Sequence, residues 1–278
     1  MGHTNGTVLE LVPSQLCDLS QFGGRFNLVI VSEGYGGRSE LWQSQFEADA
    51  NRVIKQLQTT APFMNHLDAL NIFLLHVYSE EEGAARSGTE VRSYFGATFA
   101  GTSPGSDRPS QLLLVDEPLV YETVAAQLAE LALQSNQDLG PPHKIIVLVN
   151  TPFDGGSGGS GYGIAVASRA MEIRTALHEL GHAFGLVDEY PHGGAGVGPN
   201  LSHTHAPLPW EAQAAATPQP TLAGATTTLD TVGAFTDPDF ERVAYRSQWL
   251  CRMRYCCHPA FCRACSNYIS EQLQHFSP

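Results

Sequence analysis

Three mostly apolar runs limit this chain to a small set of folds: FNLVIVS at 26–32, LNIFLLHVY at 70–78 and KIIVLV at 144–149. The first and last read as buried strands and the second as a further strand. Helical stretches separate them. SELWQSQFEADANRVIKQL, from residue 39, places Leu41, Phe46, Val53, Ile54 and Leu57 near helical spacing, with Ser39 as a candidate N-cap. Leu119–Gln134 is rich in Ala and Leu and reads as a second helix. Short strands are expected at Leu112–Val115 and Ile164–Ala167, and a helix at Met171–Leu186. Such β-α-β alternation predicts an α/β fold, a sheet with helices packed on it.

With 278 residues the chain is long enough to bury roughly 75% of its unfolded surface. Residues 1–25 read as an N-terminal segment ahead of a single domain, 26–278. Within that domain, periodicity is lost at about 191–245, a proline-, alanine- and threonine-rich stretch read as a long irregular insert. The net charge is −13, and only Lys55 and Lys144 among the fifteen basic residues are lysines. That balance argues against nucleic acid and anionic membranes as partners, and no apolar run reaches the roughly 20 residues of a membrane span. MGHTNGTVLELV is not a signal peptide, since it lacks a basic region followed by an apolar core. A monomer is expected.

The chemistry concentrates in TALHELGHAFGLVDEY, residues 175–190. On a helix His178 and His182 project from one face and can grip a single ion. Glu179, beside the first histidine, is placed to take a proton from a metal-activated water. A catalytic zinc takes three protein ligands and leaves one position open. Gly185, seven residues past His178, suits a left-handed turn that would return Asp188 to the metal. The pattern is therefore HExxHxxGxxD, with His178, His182 and Asp188 as Zn²⁺ ligands and Glu179 as general base. Glu189 is a candidate partner for a ligand histidine. DGGSGGSGYG, at 154–163, is too glycine-rich for a helix or strand, and it lacks the lysine of a phosphate-binding loop.

HExxHxxG with a ligand at +10 and a later methionine resembles the metzincin peptidases, and the continuation DEY resembles the M64 family, named for bacterial IgA-cleaving metallopeptidases. The likeness extends to NLVIVSEGYG, where Ser32 and Glu33 depart from the family's GDGY-like turn, to LNIFLLHVYSEEEG, and to CRM with the downstream FCRAC. It covers roughly residues 26–275. The resemblance implies a metzincin-like mixed, twisted sheet with packed helices, a methionine turn at Met253 beneath the zinc histidines, and a C-terminal helix. It also implies a zinc-dependent endopeptidase acting on protein or peptide substrates, with an export history in bacteria. Tyr255, in a Met-x-Tyr arrangement, is then the candidate donor to the transition-state oxyanion, and Tyr190 its competitor. Ile164–Ala167 would be the edge strand that pairs with extended substrate.

Cys251, Cys256, Cys257, Cys262 and Cys265 crowd into fifteen residues, with Cys17 far away. Six cysteines and few lysines fit an exported, oxidised protein with up to three disulfides. The rival is a zinc knuckle of Cys256, Cys257, His258, Cys262 and Cys265, whose spacing lacks two separated CxxC pairs; few free thiols and no second zinc are therefore expected. Two other functions stand beside the peptidase: a binding module that kept the fold and lost turnover, and a hydrolase of non-peptide amides. An intact Glu179 weighs against the first, because a zinc site used only for binding needs no carboxylate there.

Overall fold

The computed structural model describes residues 5–17, 22–37, 39–101, 110–159, 161–190, 196–204, 206–212, 232–236 and 244–276. In chain order the strands and helices are β1 (Gly6–Pro13), β2 (Phe26–Glu33), α1 (Trp42–Thr59), β3 (Leu70–Ser79), β4 (Thr98–Phe99), β5 (Leu113–Leu114), α2 (Glu117–Ser135), β6 (Lys144–Val149), β7 (Gly156–Gly158), β8 (Ile164–Ser168), α3 (Ala176–Ala183), β9 (Leu201–Ser202), β10 (Tyr245–Arg246) and α4 (Arg263–Gln274). Six strands form one mixed sheet in the order β1-β3-β2-β6-β8-β7. β3, β2, β6 and β8 run parallel, and β1 and β7 close the two ends antiparallel. The register sets Ile30 beside Leu74 on one side and Ile146 on the other. All eight residues of β2 are buried, the apolar Leu28–Val31 at its centre and the polar Asn27, Ser32 and Glu33 toward its ends.

Because side chains alternate across a strand, β2 feeds two cores. Leu28 and Ile30 join Leu74 and Ile146 on the face covered by α1, α3 and α4. Val29 and Val31 join Leu75 and Val147 on the face covered by α2. Helix α2 has its cap in place: the Asp116 carboxylate accepts from Leu119 N at 3.1 Å, and Pro118 occupies the first turn.

The sheet departs from the sequence expectation at both ends. Gly6–Pro13, inside the segment set apart at 1–25, is an outer strand paired with β3. At the opposite end Ile164–Ser168 is not an edge, because Gly156–Gly158 lies outside it. That outer strand falls within the glycine stretch read as neither helix nor strand. Its glycines are needed for proximity: a Cβ on Gly158 would collide with the Glu179 carbonyl of α3. Ser39 does not cap α1, which starts at Trp42 with Leu41 as N-cap; its hydroxyl instead accepts from Leu41 N. The helix expected over Met171–Leu186 is divided into a 3-10 turn, Ala170–Ile173, and α3. The break falls at Ile173, fully buried with φ at +61°, a costly conformation for a β-branched residue. Much of the insert at 191–245 lies outside the described residues. Of what is described, β9 pairs with β10, and the buried Trp210 donates its indole N–H to Gly233 O at 2.7 Å.

Candidate metal centre

Helix α3 lies against β7 and β8 and presents His178 and His182 one turn apart, their rings nearly perpendicular with centroids 4.8 Å apart. It ends as the glycine anticipated: Gly185 N donates to His182 O at 2.8 Å, Leu186 N donates to Gly181 O at 3.0 Å, and Gly185 has φ of +100°. This is a Schellman turn. It directs the chain back so that Asp188 Oδ1 lies 3.2 Å from His178 Nε2 and 3.1 Å from His182 Nε2. These three atoms, each able to ligate a metal, all fall within 4.8 Å of one another.

Each imidazole is oriented from behind. His178 Nδ1 lies 2.9 Å from Arg252 O, and His182 Nδ1 lies 2.9 Å from Leu186 O. A carbonyl only accepts, so both Nδ1 atoms carry the proton and both Nε2 atoms offer lone pairs toward Asp188. With neutral rings, the buried Asp188 Oδ1 has no hydrogen-bond donor, and three lone pairs share one small space. Protonated rings relieve this by ion pairing. Burial alone would raise the Asp188 carboxyl, but hydrogen bonds from His178 and His182 outweigh it and bring the pKa down to about 2. A divalent cation resolves the same conflict with the rings neutral. Two nitrogens and one carboxylate oxygen are a donor set that suits zinc, so these residues fit the metal.

Glu179 is 8% exposed beside these three residues; burial pushes its carboxyl up, and the two histidines pull it back. It faces a cleft of about 540 Å³ with Gln111, Asp154, Gly156, Tyr190 and Tyr255 on its walls. Tyr190 stacks near the His178 ring at 6.5 Å, and its phenol is raised by burial and by the nearby Asp188 charge. Tyr255 is 46% exposed on the cleft wall with the Arg254 guanidinium over its ring. Met253 is fully buried under α3 against Gly181, where an added Cβ would lie 2.6 Å from its Sδ, and its carbonyl accepts from Glu189 N at 2.9 Å. Met253 thus touches both the helix and the loop after Asp188. Asp154 escaped the sequence reading because it opens the glycine stretch; it binds Gln111 Nε2 through Oδ2, while Oδ1 is buried without a hydrogen-bond partner.

The cysteines and Glu189 require correction. All six cysteines are free. The nearest sulfur pairs, Cys256–Cys257 at 3.5 Å and Cys251–Cys265 at 3.6 Å, are far beyond the roughly 2.05 Å of a disulfide. The knuckle set is divided as well: Cys256 and Cys257 sit near the surface, whereas Cys262 and Cys265 are buried with Cys251. Glu189 reaches those sulfurs and Asn200 rather than a ligand histidine.

Residues 15–224 match the profile of the family described as IgA Peptidase M64. The match covers three quarters of the chain, which therefore belongs to that metallopeptidase family, and a metal is implied with it. Among solved structures the chain is similar to an archaemetzincin from Methanopyrus kandleri, at 14% identity and a TM-score of 0.33, over 91% of this chain and 97% of that one. No curated protein matches.

Proposed function

We propose that this chain is a zinc-dependent endopeptidase with its metal on His178, His182 and Asp188, and with Glu179 as general base and then general acid. The observation that carries the reading is the convergence of His178 Nε2, His182 Nε2 and Asp188 Oδ1 within 4.8 Å of one another, beside a buried glutamate on an open cleft. Bound there, zinc would supply Lewis acidity, lowering the pKa of a water and polarising a scissile carbonyl. Glu179 takes up a proton on its carboxylate and returns it to the leaving amine; a carboxyl raised by burial holds that proton more readily. Tyr190 lies beside the His178 ring and near enough to the Asp188 carboxylate to sense its charge, a position suited to orienting that ligand. Tyr255, with its side chain exposed at the cleft, is the group left to donate to the oxyanion.

The substrate edge moves with the correction to the sheet. β8 is internal, and the outer side of β7 is engaged at Gly156, whose N–H donates to Gln111 O at 3.0 Å. Substrate is therefore received between the exposed Leu112 and the Tyr255 wall rather than along Ile164–Ala167. Export from a bacterial cell was expected partly from paired cysteines, and free thiols remove that support.

Zinc-loaded protein should cut internal bonds of casein and of a peptide library. Chelation or His182→Ala should abolish cutting, and zinc should restore it only to the wild type. Hydrolysis of small amides without peptide cleavage would point to a different hydrolase. Zinc binding with neither activity would point to a binding module.

A further inference from the structure

Behind the proposed catalytic site, on the other side of the Asp188–Glu189 peptide, lies a second set of metal-binding side chains. Cys251, Cys262, Cys265 and Glu189 offer four ligand atoms within 4.8 Å of one another, and all four residues are buried. We infer that they form a second, structural zinc site with three thiolates and one carboxylate, closed to solvent and separate from the catalytic metal.

Four observations support this site. First, the donor set and its count suit zinc, whose structural sites are tetrahedral, saturated by protein and rich in cysteine. Second, Glu189 reaches into the sulfur cluster with 0% exposure: Oε1 lies 3.3 Å from Cys265 Sγ and 3.7 Å from Cys262 Sγ, while Oε2 has no hydrogen-bond partner. A buried carboxylate oxygen with no donor is costly unless a cation accompanies it. Third, donors converge on the sulfurs as they do on thiolates. Met253 N and Cys262 N point at Cys251 Sγ from 3.4 and 3.2 Å, and Ser247 Oγ donates to Cys262 Sγ at 3.1 Å. Such bonds favour the anionic form that a metal requires. Three thiolates, a carboxylate and Zn²⁺ sum to a formal charge of −2, and the buried Arg252 guanidinium is near enough to Cys251 to offset part of it.

The fourth observation is what the ligands connect. Glu189 follows the catalytic ligand Asp188, Cys251 precedes Met253 by two residues, and Cys262 and Cys265 bracket the start of α4. One ion would thus fasten the loop after α3, the methionine turn and the C-terminal helix together behind the proposed catalytic centre, and α4 is also held to the end of α3, where Gln272 Nε2 donates to Phe184 O at 3.2 Å. This also accounts for the lack of a disulfide among Cys251, Cys262 and Cys265: their sulfurs are spaced around a common point rather than in a bonded pair.

The inference does not depend on peptide cleavage, and its test does not use activity. Zinc is counted per full-length chain in the wild type and in His178→Ala/His182→Ala, and the zinc X-ray absorption edge is recorded for both. The wild type should hold two zincs. The double variant should retain one, with sulfur neighbours at roughly 2.3 Å dominating its spectrum. Since the cysteines are untouched, the measurement stands even if cysteine variants fail to fold. Glu189→Gln should lower the affinity of that retained zinc about 10-fold or more in competition with a chelator, by replacing an anionic ligand with a neutral one. Zinc-free His178→Ala/His182→Ala protein, residual zinc with only nitrogen and oxygen neighbours, or a Cys251–Cys265 disulfide in place of the metal would each overturn the assignment. Unchanged affinity in Glu189→Gln would remove Glu189 as the fourth ligand.

Discussion

Gly156→Ala tests the placement of Glu179 without touching any metal ligand. A Cβ at residue 156 would stand 2.5 Å from Glu179 Oε1 and 2.8 Å from both Cγ and Cδ, where ordinary contact begins at 3.4 Å. The carboxylate must therefore withdraw by about 0.9 Å. The Gly156 backbone is not in the left-handed region, so alanine itself is tolerated, and the displaced group is the end of a flexible side chain. Stability should change by about 1 kcal/mol or less, within the range of small overpacking effects. Catalysis should suffer far more, because a misplacement of about 1 Å can cost roughly 100-fold. The assay is kcat/KM on a quenched-fluorescence peptide taken from the library hits, with zinc content and melting temperature measured alongside. A double-mutant cycle excludes direct obstruction of substrate. In a Glu179→Ala background, the shortened side chain leaves room for the new methyl, so Gly156→Ala should add almost nothing. Full activity in Gly156→Ala with zinc retained would show that the observed position of Glu179 is not the one that acts. A full 100-fold loss persisting in the Glu179→Ala background would show that the glycine serves the substrate instead.

Three further outcomes follow from the same contacts. Asp49→Ala should cost about 3–5 kcal/mol in chemical denaturation, since the buried Asp49 carboxylate accepts from Tyr35 Oη at 2.8 Å and pairs with Arg52 and Arg169 at 2.8 and 3.0 Å; a loss under about 1 kcal/mol would contradict this. His76 is buried against Trp42 and Phe46 with neither ring nitrogen hydrogen-bonded, and burial lowers its pKa despite Glu47 at 3.9 Å. The unfolded chain therefore takes up a proton near pH 6.5, as an ordinary histidine does at about that value, while the folded chain resists. The stability His76 contributes is present above that pH and is lost as pH falls toward its folded pKa, so His76→Phe should flatten the decline, and an unchanged pH profile would refute it. Tyr255→Phe should lower kcat by about 10²-fold with zinc retained, whereas Tyr190→Phe should mainly weaken zinc binding, by about 10-fold or more in a chelator competition; the reverse pattern would exchange the two roles.

The centre of the fold was legible in the sequence because β2, β3 and β6 are buried on both faces and so read as mostly apolar runs. The sheet's ends were not. β1 is half-exposed with only weak alternation, and β7 consists of Gly156, Ser157 and Gly158, chosen for closeness to α3 rather than for strand propensity. His178, His182 and Asp188 were legible because helical spacing and one glycine turn bring them together locally. The cysteine cluster was not, because its fourth member, Glu189, lies more than sixty residues before Cys251, and sequence spacing within 251–265 has no bearing on it. The break at Ile173 was also hidden: an isoleucine with positive φ follows from tertiary packing, and nothing in MEIRTAL signals it.

Glu179→Gln is the most direct test of the central claim. The amide reproduces the shape of the carboxylate, so zinc bound through His178, His182 and Asp188 should remain at wild-type content and the melting temperature should be nearly unchanged. It cannot take up the proton, and general-base contributions are about 10²–10⁴-fold, with more lost when the same group serves the leaving amine. Single-turnover cleavage of the library-derived peptide by zinc-loaded Glu179→Gln should therefore fall by at least that factor. Undiminished cleavage at full zinc occupancy would contradict the account.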